Sequence, residues 1–272
     1  MSSQTGLSSD CILPPLQQLH AYCINLDRRP DRWTQAQLEW ARLGCRPENL
    51  HRIAAIDTDS YVGCARSHQL CIRTAQEQHL PYVFVIEDDV QFRDSAAAAY
   101  ERLRHRVPKE CGIFYGGVSY AENAEPEHPP GMRALGDCAG LFCAVYFAAA
   151  YEAVLAWQPS DGNIDRFLGR RQDISRIVTV PYLAGTSAGR SDLRKRETKD
   201  DLVIRKVEQQ LLQANPAAKV ERAFASDSRK PPSLRISRAA YLRGPLGLPA
   251  QSVFGVQTEA QSAESKQDNT QA

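Results

Sequence analysis

The sequence predicts an α/β fold: one domain with a mostly parallel central sheet covered by helices, followed by a disordered tail. Three observations carry this. Apolar runs of strand length alternate with stretches of helical periodicity from residue 20 to about residue 215. The run Tyr82-Val83-Phe84-Val85-Ile86 contains no charged residue, as suits a strand in the interior of a sheet. After about Pro216 the apolar signal fades, and the end from Gln257 is rich in Gln, Ala, Ser and Glu. The expected organisation is a loose leader over residues 1–19, one domain over residues 20–215, and a low-complexity, disordered tail over residues 216–272.

The elements follow in order. Residues 20–26 form an apolar strand ending in Asn25-Leu26-Asp27. A helix opens at Pro30, with Trp33, Ala36, Trp40 and Leu43 at helical spacing and Gly44 as its stop. A short strand lies around residues 50–55. A helix is expected from about Ala65 to His79, closed by Pro81, and the acidic strand Tyr82–Val90 comes next. Residues 95–106 read as an alanine-rich helix and Cys111–Gly117 as a strand. Residues 119–137, with Pro126, Pro129, Pro130 and Gly131, read as a long loop beside the site. Leu141–Phe147 is an apolar strand, Ala148–Trp157 a helix, Ile164–Leu168 a short helix, Ile174–Val180 a strand, and Leu202–Leu212 a last helix.

Composition excludes several classes. The net charge of +1 gives no electrostatic case for nucleic acid or an anionic surface. No apolar run approaches the roughly 20 residues of a membrane span, so only peripheral membrane contact stays open. The polar stretch Met1–Asp10 lacks a secretory layout, and the expected location is cytoplasmic. Eight cysteines are present without a C-x-x-C pair, so they read as reduced, buried small hydrophobes rather than a zinc cluster or disulfide framework.

Four clusters carry chemistry. Glu87-Asp88-Asp89 sits where a buried strand leaves the sheet, the edge at which open α/β sheets bind ligands. Adjacent carboxylates repel unless a cation or hydrogen bonds compensate, and hard oxygen ligands suit Mn²⁺ or Mg²⁺. An ordinary solvated acidic turn is the competing reading. Asn25 to Arg32 lies between strand and helix, where arginines can meet a phosphate; surface pairing of Arg28 and Arg32 with Asp27 and Asp31 is the alternative. Gly63-Cys64-Ala65-Arg66-Ser67-His68 opens the next helix, which would place Ser67 and His68 in its first turn; His68 is able to donate to a phosphate or sugar hydroxyl, or to act as a structural hydrogen-bonder. Asp165, among apolar neighbours, suits a general base or a helix cap.

In their order and spacing these clusters, with Tyr115-Gly116-Gly117 and Ser191-Asp192-Leu193, resemble glycosyltransferase family 25, which includes lipopolysaccharide β-galactosyltransferases and collagen galactosyltransferases. The resemblance spans roughly residues 20–195. It implies a GT-A-like fold and inverting transfer of galactose or glucose from a UDP-sugar to a glycan, lipopolysaccharide or protein hydroxyl. It further implies Glu87, Asp88 and Asp89 as ligands of Mn²⁺ (or Mg²⁺), Asn25, Leu26, Arg28 and Arg32 on the nucleotide side, and Ser67, His68, Ser191 and Asp192 as further substrate contacts. Asp165 would be the base, with His68 beside it in catalysis. The chain departs from many GT-A enzymes in having no histidine after His128. The rival readings are a relative that binds a sugar nucleotide or partner without turnover, and a phosphoryl-transfer enzyme. The latter lacks its usual glycine loop or nucleophilic aspartate motif here.

Overall fold

Strand β1 (Ala21–Asn25) is buried along its whole length, and its neighbours explain why. It pairs in parallel with β2 (Leu50–Ala54) on one side and with β3 (Tyr82–Glu87) on the other. The structure is a computed structural model that describes residues 13–58, 60–122, 124, 131–187, 189–191, 196–198 and 200–213. The expected tail and Asp192 lie outside these residues. So do residues 125–130, the middle of the stretch expected to be a loop, whose described parts instead carry strands at Tyr120–Ala121 and Met132–Ala134.

The other elements are α1 (Pro30–Arg42), α2 (Tyr61–Glu77), β4 (Val90–Phe92), α3 (Ala96–Leu103), β5 (Cys111–Tyr115), β6 (Tyr120–Ala121), β7 (Met132–Ala134), β8 (Cys138–Ala139), β9 (Cys143–Phe147), α4 (Ala148–Leu155), α5 (Ile164–Arg170), β10 (Ser175–Thr179), β11 (Ala184–Thr186), β12 (Gly189–Ser191), β13 (Arg196–Thr198) and α6 (Asp200–Gln213). Seven strands form the central sheet in the order β2-β1-β3-β9-β5-β10-β7. β5 and β10 also pair in parallel, whereas β9 runs antiparallel between β3 and β5, and β7 runs antiparallel to β10. Five strands therefore share one direction and two oppose it, which is the mostly parallel α/β architecture expected. The reversal of β9 is not visible in its composition, because a strand buried on both faces reads the same in either direction. The reversal brings residues 140–142, which precede β9, to the sheet edge where β1 and β3 end.

Two local expectations are corrected. Helix α2 starts one turn earlier than expected, at Tyr61, because Ser60 caps it by accepting a hydrogen bond from the Val62 amide (3.3 Å). Gly63 is thus inside the helix rather than before it. A Cβ there would lie 2.3 Å from the Ile56 carbonyl, so glycine lets the incoming loop press on the first turn. Ser67 and His68 consequently occupy the second turn, away from the helix's positive end. The leader is also packed from Leu13 onward. Leu13, Leu16 and Leu19 are buried, a spacing of three that the intervening prolines and glutamines conceal, and the Tyr100 hydroxyl and Arg104 donate to the carbonyls of Pro14 (2.8 Å) and Leu13 (3.0 Å).

Helix α1 presents Ala36 and Trp40 to the core, the Trp40 indole donates to the Arg46 carbonyl, and Gly44 ends the turn with φ of +91°. The described cysteines are all free, and every one except Cys64 is buried, as expected of small apolar side chains.

Helix α5 lies directly on β8. A Cβ on Gly169 would stand 1.9 Å from the Cys138 carbonyl oxygen, and backbone cannot step aside as a flexible side chain can. Gly169→Ala should therefore lower stability by about 2 kcal/mol or more. Denaturant titration checks this, and a wild-type midpoint would mean that α5 is free to lift from β8.

Candidate active site

The ends of β1, β2 and β3, the loop before β9, and helices α2, α5 and α6 enclose a cavity of about 450 Å³. Leu26, Arg28 and Arg32 line it from the β1–α1 connection, Asp57 and Thr58 from the loop after β2, and Ser67 and His68 from α2. Glu87, Asp88 and Asp89 enter from the end of β3, Asp165 from α5, and Asp200, Val203 and Ile204 from α6. Nine of the residues singled out in the sequence are thereby gathered around one space. Asn25 is buried beside it, Ser191 belongs to β12, and Asp192 lies outside the described residues.

The three adjacent carboxylates have different surroundings. Asp88 is buried and both its oxygens are engaged, one by the Asn25 amide (2.7 Å) and one by Arg32 (3.1 Å). Burial raises its carboxyl, and Asn25 and Arg32 oppose that rise. Asp89 lies 3.8 Å from Arg32 through one oxygen, while its other oxygen is buried with no hydrogen-bond partner among the described residues. Burial, followed by the charges of Glu87, Asp88 and Asp200, pushes the Asp89 carboxyl up to about 7 despite Arg32. Glu87 is partly exposed to the cavity and is approached by His68 Nε2 at 3.4 Å and Cys64 Sγ at 4.0 Å.

Arginine pairing differs from the surface-pairing alternative. Arg28 pairs with Asp57 across the cavity mouth and Arg32 with Asp88, while Asp31 and Asp27 are held by Arg29 (2.8 Å) and Arg52 (2.7 Å). Arg28 reaches the cavity from the loop before α1 and Arg32 from the first turn of α1.

Ser67 and His68 are fully buried. The Ser67 hydroxyl donates to the Gly63 carbonyl (2.7 Å) and accepts from the Ile56 amide (2.9 Å), tying the loop after β2 to α2. His68 lies between Tyr146 Oη, 3.1 Å from Nδ1, and Glu87 at Nε2. Asp165 accepts a hydrogen bond from the Gly140 amide (3.0 Å), and Asn163, rather than Asp165, caps α5. Burial and the nearby Glu87 raise the Asp165 carboxyl to about 6, into the range where a carboxylate exchanges protons near neutral pH.

This donor set fits a hard divalent cation. Asp89 offers a buried oxygen with no hydrogen-bond partner among the described residues, and Glu87 faces the same cavity. Asp88, with both oxygens taken, is less able to contribute. Sequence reasoning missed Asp57, Asp200 and Tyr146. Asp57 follows a strand end and was accessible to the same edge argument. Asp200 and Tyr146 come from distant elements and carry no local signal.

A glycosyltransferase is the class that comparison with known proteins supports. The model of Glycosyltransferase family 25 (LPS biosynthesis protein) matches residues 49–127, which bears out the resemblance and takes in Cys64, Ser67, His68 and the acidic trio; residues 25–32 and Asp165 fall outside the match. No curated protein matches the chain. Among solved structures, a glycosyltransferase involved in the glycosylation of the major capsid of PBCV-1 is similar at 9% identity and a TM-score of 0.34, covering 52% of this chain and 64% of that one. A197 from STIV is similar at 7% identity and a TM-score of 0.39 (66% and 92%), and mannose-1-phosphate geranyltransferase from Thermus thermophilus at 9% and 0.33 (58% and 58%). The chain thus spans less than two thirds of the length of the first and third, and likeness of this degree carries no argument about activity. No helix among the described residues is long and apolar enough to cross a membrane.

Electrostatics of the site generate a stability prediction. Asp89 has its carboxyl raised on folding from 3.8 to about 7, so folding is favoured while the group is protonated, and that contribution is lost as pH rises between these values. Without divalent cation, Asp89→Asn should melt at a higher temperature than the wild type above about pH 7, and the difference should shrink toward about pH 4. Thermal melts in EDTA across this range check it. A difference that does not vary with pH would show that Asp89 titrates as in an unfolded chain.

Proposed function

We propose that this protein is a metal-dependent, inverting glycosyltransferase that moves a hexose, galactose or glucose, from a UDP-sugar to a hydroxyl of a glycan, lipopolysaccharide or protein. One observation carries the reading: two arginines, the acidic trio and a half-buried carboxyl raised to about 6 converge on one cavity at the carboxyl edge of the sheet. The family-model match over residues 49–127 supports the class.

Arg28 and Arg32 would receive the diphosphate, guanidinium groups being suited to bidentate contact with its oxygens. Asn25, from beneath, fixes Asp88, and Asp88 fixes Arg32, so the nucleotide side of the cavity is held by a buried chain of hydrogen bonds. Asp89, with Glu87, would hold Mn²⁺ or Mg²⁺, which when bound neutralises the charge that grows on the departing diphosphate. Ser67 and His68 support the cavity wall through their internal hydrogen bonds.

Asp165 is the proposed base. It removes the proton from the acceptor hydroxyl as the hydroxyl oxygen bonds to the anomeric carbon. The bond from that carbon to the diphosphate oxygen breaks, its electron pair leaves with UDP, and attack from the opposite face inverts the centre. The Gly140 amide keeps the Asp165 carboxylate oriented during this transfer.

The reading is tested by release of UDP from a panel of UDP-sugars with Mn²⁺ and candidate acceptors. Asp165→Asn should lower turnover by roughly 10²- to 10⁴-fold while UDP binding, followed by calorimetry, stays intact. Absence of UDP release from every UDP-sugar tested would reject the donor class, and normal turnover by Asp165→Asn would reject the base.

A further inference from the structure

We propose that Cys64, His68 and Glu87 form a binding site for a thiophilic divalent cation of the Zn²⁺ class, which shares Glu87 with the oxygen donors around Asp89 but differs from them in its sulfur and nitrogen ligands. Cys64 and His68 are four residues apart on α2 and therefore share one face of the helix. The end of β3 brings Glu87 against that face, so that one sulfur, one nitrogen and one carboxylate oxygen all lie within 4.8 Å of each other. Bond lengths of about 2.0 to 2.3 Å in tetrahedral geometry need donor separations of roughly 3.3 to 3.8 Å. The His68–Glu87 separation of 3.4 Å is already in that range, and the Cys64–Glu87 separation of 4.0 Å is close to it.

The surroundings complete the arrangement. Metal-binding histidines usually engage their second ring nitrogen with an oriented partner, and Tyr146 Oη stands 3.1 Å from His68 Nδ1 in a fully buried position. Without a cation, Nε2–H donates to Glu87 and the Tyr146 hydroxyl donates to Nδ1. Binding would shift the ring proton to Nδ1, where the Tyr146 oxygen accepts it, and leave the Nε2 lone pair for the cation; the Cys64 thiol proton goes to solvent. The cavity supplies the open fourth position that three-ligand sites retain. The simpler account is that the trio is an internal hydrogen-bond cluster. That account assigns Cys64 little, since a thiol 4.0 Å from a carboxylate is a weak contact that serine would replace.

Addition of Co²⁺ to the full chain, followed by absorption spectroscopy, separates the two. The expected result is a thiolate-to-cobalt charge-transfer band that Zn²⁺ removes and excess Mg²⁺ does not. Cys64→Ser should abolish it, and Tyr146→Phe should weaken cobalt binding by roughly 10- to 100-fold. Absence of the band in the wild type, or its persistence in Cys64→Ser, overturns the proposal. If circular dichroism shows that Cys64→Ser does not fold, Glu87→Gln decides: loss of affinity supports the site, and wild-type affinity overturns it. Glycosyl transfer is not part of this readout, and Cys64→Ser and Tyr146→Phe leave Glu87, the residue common to both sites, untouched, so failure here is distinguishable from failure of the proposed function.

Discussion

Mutual repulsion among carboxylates is the constraint around which the functional edge of this protein is arranged. Glu87, Asp88, Asp89, Asp165 and Asp200 all face one cavity. A globular domain does not gather such groups for stability, because each raises the cost of ionising its neighbours. The protein compensates unevenly. Asp88 is fully committed to Asn25 and Arg32, whereas Asp89 has an oxygen with no hydrogen-bond partner among the described residues and Asp165 is held by the Gly140 amide and its own helix start. The uneven treatment separates a carboxylate with both oxygens engaged from two whose carboxyls are raised, to about 7 at Asp89 and to about 6 at Asp165.

The topology serves this edge. Because β9 is reversed, the loop before it and the loops after β1, β2 and β3 all reach the same side of the sheet. Gly140 belongs to that loop, so the amide that orients Asp165 is delivered by the one strand whose direction could not be read from its residues. Gly169 then allows α5 to settle on β8. α6 closes the opposite wall, anchored where Arg93 meets Asp201 (3.0 Å) and Glu208 (4.0 Å).

Much of this was legible in the sequence for identifiable reasons. The alternation of apolar runs and helical periods located the strands and helices of the sheet, because burial on both faces leaves long uncharged segments such as residues 82–86. The acidic trio announced itself by following such a segment. The start of α2 is harder to read because Gly63 resembles a helix boundary, whereas Ser60 supplies the cap and the glycine answers a tight contact with Ile56. Packing of the residues from Leu13 was hidden by the prolines and glutamines between the leucines. Asp200 and Tyr146 were beyond reach for another reason: their proximity to Asp89 and His68 is created by tertiary folding, and no spacing along the chain encodes it.

Asn25 has a role that its position under the cavity makes unusual. Its amide nitrogen donates to Asp88 (2.7 Å) and to the Arg29 carbonyl (2.9 Å), and its oxygen accepts from Arg52 (2.8 Å). One small side chain thus splices β1, β2, the acidic turn and the entrance to α1. Residues joined through a shared buried hub do not vary independently. Exchange of Asn25, Arg52 or Asp88 would therefore be felt by the other two, whereas Val203, exposed at the mouth of the cavity, takes no part in these bonds.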